Sequence, residues 1–283
     1  MNMAFPPDAV GRPGWQARLA LDLARGAAGR TRMRATHRLG PLAVQKAHYP
    51  EGAICHALLL HPPGGMVGGD RLRVDIVVQP GAQALLTTPG AGKWYRSLGA
   101  TAHFDLDFRI ESGATFEYLP QEAIVFDGAL GASALGVTLE ADARFIGWDI
   151  VVLGRQAGNA VFRHGGLTQN VTLRRAGVPL LIERAVYAGG DRLLNSPLGL
   201  AGWPVVGTLF AAGPGVAKAL AAVRAALAPA GGPGGASTWD DVLVVRVLGD
   251  CTQRVRRSLE AVWAALRLAW LGRVAVAPRI WNT

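Results

Sequence analysis

The string Gly90-Ala91-Gly92-Lys93 has the outline of the end of a phosphate-binding loop. Such a loop needs a glycine at a fixed distance upstream and a hydroxyl after the lysine to hold magnesium. Thr87 and Trp94 stand in those two places, so a self-contained nucleotide hydrolase is excluded. Gly64, Gly65, Gly68 and Gly69 flank Met66 and Val67. Glycines this dense let a backbone approach a phosphate closely, but a dinucleotide fingerprint opens a helix. Here the residues that follow alternate like a strand, and the string reads as a structural turn.

The histidines are His37, His48, His56, His61, His103 and His164, and no two form HxH or HExxH. Cys55, His56 and His61 offer soft ligands at close spacing, yet adjacent residues on a strand point to opposite faces. Cys55 and Cys251 lie far apart and read as two reduced thiols rather than a CxxC site or a disulfide. No serine occupies a Gly-x-Ser-x-Gly elbow. Glu117, Glu122 and Asp127 are candidate paired carboxylates of the kind a glycosidase sets across a cleft. Spacing alone does not pair them.

The elements that must position these groups read mostly as strands. Ala102, Phe104, Leu106, Phe108 and Ile110 are apolar and alternate with His103, Asp105, Asp107 and Arg109, a strand with one buried and one wet face. Leu72 to Val78 alternates likewise, and Ala82 to Thr87 and Thr115 to Leu119 follow after turns. Shorter candidates are Gly136 to Glu140, Trp148 to Leu153, Val171 to Arg174 and Leu180 to Tyr187. The spacing is that of consecutive antiparallel strands, and no exact repeat is visible. Further on, Val216 to Leu227 reads as a helix ending at Pro229, Gly231 to Ser237 as a flexible loop, and Val242 to Leu248 as a nearly buried strand. Thr252 then caps a helix to about Leu271, stopped by Gly272. Its apolar stripe, including Trp263, is explained by core packing; partner anchoring through Trp263 or Trp281 is the alternative.

Composition bounds the class. The chain has 283 residues, half of them hydrophobic and 17% charged, with 37 glycines and 17 prolines. It can bury a sizeable core, while Gly and Pro interrupt nearly every long stretch, which excludes disorder and helical bundles. The net charge is +9, carried almost wholly by arginine, since only Lys46, Lys93 and Lys218 are lysines. The clusters at Arg30, Arg32 and Arg34 and at Arg254, Arg256 and Arg257 are not interleaved with aromatics, so a nucleic-acid interface is not indicated. The uncharged segment from Leu193 to Ala217 holds too many Gly and Pro to span a membrane and reads as buried strands and turns. No secretory signal is visible at Met1 to Val10. The expected fold is mainly β, with stacked antiparallel or β-helical-like sheets and two helices near the C-terminus. We expect one domain over 1–283, with residues 1–14 a flexible tail; a β domain followed by a small α/β unit is the alternative.

A longer series of strings carries a resemblance. It comprises Gly40-Pro41-Leu42, Tyr49-Pro50-Glu51-Gly52, Cys55-His56 and His61-Pro62-Pro63-Gly64-Gly65-Met66-Val67-Gly68-Gly69-Asp70. Then come Thr87-Thr88-Pro89-Gly90-Ala91-Gly92-Lys93-Trp94-Tyr95-Arg96-Ser97, Tyr118-Leu119-Pro120-Gln121-Glu122 and Ile124-Val125-Phe126-Asp127-Gly128. Phe145-Ile146-Gly147-Trp148, Leu153-Gly154-Arg155 and Pro278-Arg279-Ile280-Trp281 close it. In this order the series resembles the urease accessory protein family UreD, also called UreH, from about Leu39 to the C-terminus. Gly92 stands where relatives often carry a polar residue, and Tyr118 where many carry Trp.

The resemblance implies a cytoplasmic maturation factor that is not an enzyme and binds no nucleic acid or membrane. Its implied partners are UreF, the GTPase UreG and the urease apoprotein UreABC, with UreE as nickel donor. No tightly bound cofactor is implied, only nickel in transit along an internal path. Glu51, His61, Asp70, Glu122 and Asp127 lie inside the matching strings and are the candidate path-lining groups; the competing assignment is turn capping and sheet-edge hydrogen bonding. A β-fold carbohydrate-active enzyme and a basic nucleic-acid-binding protein are the alternative functions.

Overall fold

The computed structural model describes residues 14–158, 161–227 and 231–282. All but Gly14 of the expected tail, and Pro229 at the expected end of the first helix, lie outside the described residues. The chain enters through a hairpin, β1 (Gln16–Arg25) and β2 (Thr31–Leu39), and a short β3 (Ala43–Val44) leads to β4 (Cys55–Leu60). From there it winds between two sheets. β5 (Arg71–Val78) lies in the first sheet and β6 (Gln83–Thr87) in the second. After a short β7 (Gly92–Trp94), β8 (Ala102–Ile110) returns to the first and β9 (Thr115–Tyr118) to the second. A short β10 (Ala123–Val125) precedes β11 (Leu130–Leu139) in the first sheet and β12 (Arg144–Leu153) in the second. A final hairpin, β13 (Gly166–Arg175) and β14 (Val178–Ala188), ends the first sheet.

Consecutive strands therefore do not pair with each other. Each pairs in parallel with the strand one coil away: β5 with β8, β8 with β11, β11 with β13, and likewise β4 with β6, β6 with β9, β9 with β12. The expected antiparallel pairing holds only at the ends, in β1–β2, β3–β4 and β13–β14 and in the strands after β12. The reason is a corner where a hairpin turn was expected. After β5, β8 and β11 the chain makes a tight turn closed by an alanine amide: Ala82 donates to the Gln79 carbonyl, Ala114 to Glu111 and Ala143 to Glu140. All three methyls are fully buried. The corners also stack, because the amides that follow, Thr115 and Arg144, donate to the carbonyls of Ala82 and Ala114 one coil away. Gly81 and Gly113 take positive φ (67° and 65°) in these corners, where a side chain would be strained.

Two cores result. Between the sheets, the inward residues of β8 and β9 bring together Phe108, Phe116 and Tyr118, with ring centroids 5.1 and 5.2 Å from Phe108 in edge-on contact. The outer face of the second sheet is covered by two helices. Its later strands are β15 (Val205–Ala212), β16 (Gly231–Trp239) and β17 (Val242–Gly249). α1 (Leu220–Ala226) and α2 (Thr252–Leu266) pack there, and α2 places Val255, Leu259, Val262 and Leu266 against Ile146, Ile150, Leu209 and Val245. The helical path continues as a π-type turn to Leu271 and stops at Gly272 (φ 65°), as its sequence predicts.

Several boundaries differ from expectation. Gly231 to Ser237 is not a flexible loop but most of β16, paired with β17 at the sheet edge. Its glycines admit a close neighbour: a Cβ on Gly232 would fall 2.9 Å from the Trp203 ring. The residue before α2 is Cys251, and Thr252 instead donates its hydroxyl to Gln156. The segment from Leu193 to Ala217 forms turns and the fully buried β15, as expected. Trp263 and Trp281 join Trp148 in one aromatic cluster (centroids 5.3 to 6.3 Å), so these two tryptophans serve the core. No helix among the described residues is long and apolar enough to cross a membrane.

Candidate functional site

A cavity of about 420 Å³ lies between the two sheets. Its walls are inward side chains of β8, β11 and β13 on one side and of β9 and β12 on the other. Three loops close one end: residues 61–66, 88–93 and 120–123. In the second of these loops Pro89, Gly90 and Gly92 are exposed. These are the Gly-Pro strings that failed as nucleotide loops. Gly65 has no room for a side chain, because a Cβ there would lie 2.3 Å from the Tyr95 ring.

The space exists because the strands carry small residues where it lies. Ser133 lines it on β11, two residues after Gly131, whose absent Cβ would fall 2.6 Å from Trp94. The polar residues that line it include His61, Lys93, Glu122, Asp149, Gln169 and Asn170. Asp149 sits on β12 between Trp148 and Ile150, which point to the helix side, and it accepts a short hydrogen bond from Gln169 on β13 across the gap between the sheets. Burial pushes the Asp149 carboxyl above its usual range, opposed by that bond and by the Ile150 amide. Burial holds the His61 imidazole below its usual value against the pull of Asp70; the ring is neutral near pH 7, the form that ligates metals.

The structure separates the five carboxylate and imidazole candidates. His61 and Glu122 line the cavity, and Glu122 is also paired with Arg256 of α2. Asp70 is a loop clasp: its two oxygens accept from the amides of Trp15 (2.8 Å) and Val67 (2.9 Å). Asp127 does the same for Arg163 and His164, both at 2.7 Å, and reaches the His164 ring at 3.2 Å. Burial raises its pKa, but these hydrogen bonds outweigh burial and hold it low. Glu122 and Asp127 thus have separate partners.

Glu51 belongs to a different place, the layer between the second sheet and the helices. Its oxygens meet His56 Nε2 at 2.7 Å and Arg267 Nη2 at 2.8 Å. Arg267, whose side chain is 0% exposed, also approaches Glu117 at 3.3 Å, and Glu117 accepts from Trp263 Nε1 at 2.6 Å. The guanidinium lies over the Trp263 ring at 5.2 Å. Burial pushes Glu51 up, and its bonds to His56 and Arg267 more than reverse that. For Glu117 burial wins over Arg267 and Trp263, and its pKa is raised. His56 points to the helix side, while Cys55 points into the core between the sheets with its thiol pushed by burial to about 11. Cys55 and Cys251 are both free thiols.

Asp149, Gln169, Arg256 and Arg267 were not among the expected site residues, and Glu117 was weighed only as a partner for Glu122, whereas the structure pairs it with Arg267 and Trp263. Asp149 had a signal: it is the only charge in the apolar run from Phe145 to Leu153. Arg267 had none, because its meaning lies in contacts with Glu51 and Glu117 from distant segments. Among the described residues no group of three or more His, Cys, Asp or Glu could hold a metal ion. The cavity offers separated donors and no closed cage.

Comparison with known proteins is consistent across nearly the whole chain. The family described as UreD urease accessory protein matches residues 16–282. A protein of Dechloromonas aromatica named urease accessory protein UreD is 47% identical over 276 residues, covering 96% of each chain. One of the same name from Azoarcus sp. is 44% identical over 273 residues, 96% of this chain and 95% of its own. Another from Trichormus variabilis is 40% identical over 282 residues, 99% of this chain and 100% of its own.

Proposed function

Since the chain belongs to the UreD family of urease accessory proteins, we propose that it is a non-enzymatic urease maturation factor required to place nickel in the urease active site. It acts in the cytoplasm in a complex with UreF and the GTPase UreG on the apoprotein UreABC, and UreE supplies the metal to that assembly. The failed phosphate-loop match at Gly92-Lys93 agrees with leaving nucleotide hydrolysis to UreG.

The observation that carries this reading is the cavity between the sheets, with His61, Glu122 and Asp149 on its walls. Nickel is cargo here, and cargo must leave. Several nitrogen or sulfur ligands converging on one point would hold the ion firmly. Carboxylates and one neutral imidazole spread along a wall bind it in turn and weakly, which suits passage. Glu51, Asp70 and Asp127 serve this role less well, because their oxygens are committed to buried partners or to loop amides.

Complementation tests both levels. Cells lacking this protein are expected to accumulate urease apoprotein without bound nickel or activity, and the wild-type chain to restore both. Normal urease in the deletion strain would refute a maturation role. The double variant Glu122→Gln with Asp149→Asn is expected to bind its partners and fail to load nickel; full activation by it would remove the cavity from the mechanism and leave the maturation role standing.

A further inference from the structure

At one end of the first sheet β2 has no neighbour beyond β1 among the described residues. Residues 32 and 34–39 are all exposed. Thr31 alone is tied down on the outer side, its amide donating to Ala53 and its carbonyl accepting from the Tyr49 hydroxyl. In an antiparallel pair, residues alternate between facing the partner strand and facing away. With Thr31 facing away, Met33 and Ala35 present their amides and carbonyls on the open edge as well.

This edge is also strongly one-signed. Residues 25–39 contain Arg25, Arg30, Arg32, Arg34 and Arg38 with His37, and no Asp or Glu. Pairing with β1 places Arg32, Arg34 and His37 on the outer face of the sheet, opposite Ala24, Asp22 and Ala20. Asp22 is the one acid facing them; it lies 3.8 Å from Arg34 and also accepts from Gln79. Arg38 turns to the other face, toward the Leu42 carbonyl. On that face Arg30 sits over the Tyr49 ring at 4.4 Å.

We propose that β2 is a docking edge for an acidic extended segment of a partner protein, which adds a strand beside it. The exposed backbone groups supply the ladder, and carboxylates at alternate positions meet Arg32 and Arg34 on one face and Arg38 on the other. A second copy of this chain is a poor occupant, because pairing two such edges sets arginine against arginine. Nucleic acid is a poorer one: it makes no use of the free backbone ladder, and residues 25–39 contain no Trp, Tyr or Phe on which bases stack. The inference is independent of the nickel route.

The test uses the full-length chain and labelled nine-residue peptides alternating Glu with Val. Fluorescence anisotropy is expected to show saturable binding, and hydrogen exchange to slow at the amides of Met33 and Ala35. A Lys-for-Glu peptide is expected not to bind. The acidic peptide N-methylated at alternate residues, which keeps its charge and loses its donors, is expected to bind at least tenfold more weakly. Arg32→Gln with Arg34→Gln is expected to weaken binding about tenfold or more with little change in the melting temperature. Equal binding of the N-methylated peptide, or binding with unchanged exchange at Met33 and Ala35, would reduce the edge to a charged surface and overturn the proposal. Tighter binding of a thymidine oligonucleotide at the same residues would overturn it in favour of nucleic acid.

Discussion

Arg267→Met tests the buried charge cluster most sharply. Arg267 is 0% exposed and faces Glu51 and Glu117, whose side chains are 8% and 2% exposed. Methionine keeps the apolar stem against Trp263 and removes the cation, so two carboxylates remain in a dry layer with only His56 and the Trp263 indole for partners. Breaking a buried ion pair from one side costs about 3–5 kcal/mol. For a chain of this size that is a fall in melting temperature of roughly 6–10 °C. Asp250→Asn breaks the pair between Asp250, just before α2, and Arg254 in its first turn, but these groups are 48% and 50% exposed, and the expected change is under about 0.5 kcal/mol.

The pH dependence adds a signature. Glu117 already has a raised pKa, and removing Arg267 raises it further. A carboxyl whose folded pKa lies above its unfolded value is favoured in the folded state below the unfolded value, and that stability is lost as pH rises through the folded pKa. The deficit of Arg267→Met is therefore largest near pH 8 and shrinks as pH falls toward about 4.5, the range in which unfolded Glu titrates. Adding Glu117→Gln is expected to recover part of the loss, since the orphaned charge disappears. Urea titrations at pH 8 and pH 5.5 measure all of this. A loss below about 1 kcal/mol at pH 8, or a deficit that grows on acidification, would refute the reasoning.

Three further outcomes follow from the packing. Gly131→Val drives a side chain into the Trp94 ring and is expected to cost about 1–3 kcal/mol by chemical denaturation. Asp149→Asn is expected to be at least as stable as wild type at pH 7, because the raised carboxyl pKa carries a penalty there; wild type gains on the variant as pH falls toward 4, which parallel thermal melts resolve. Trp281→Ala loses its contacts with Trp148 and Trp263 and its 2.8 Å bond to the Thr87 hydroxyl. It is expected to cost about 2–3 kcal/mol and to shift the tryptophan emission.

The alternation in β8 placed its strand to the residue, because apolar and polar side chains alternate along its whole length, with the burial contrast sharpest from Leu106 to Ile110. β11 extends well before the expected Gly136, and its first half is Leu130, Gly131, Ala132, Ser133 and Ala134. Small residues there make room for Trp94 and the cavity, and that need erases the hydrophobic period. β2 was equally silent, since an edge with nearly every residue exposed has no buried face to alternate with. Pairing was the larger gap. A Gln-Pro-Gly turn looks the same whether it reverses a hairpin or rounds a corner, and only the stacked coils distinguish the two. Stacked residues are roughly thirty apart along the chain, a period carried by corner alanines rather than by repeated words. The cavity was half visible, through the loop strings at its end; its inner carboxylate was visible only as a lone acid in an apolar strand.

The Glu51–Arg267 contact joins residues 216 positions apart. At about 5–20 residues per second, a ribosome needs roughly 10–40 s after adding Glu51 to reach Arg267. The coils can stack as they emerge, yet through that interval the buried face of β4 and β9 holds His56 and Glu117 with no arginine to meet them. The nascent chain is thus committed to its shape last at its first coil. Any factor that grips the unfinished protein has its longest opportunity at the surface α2 will later cover.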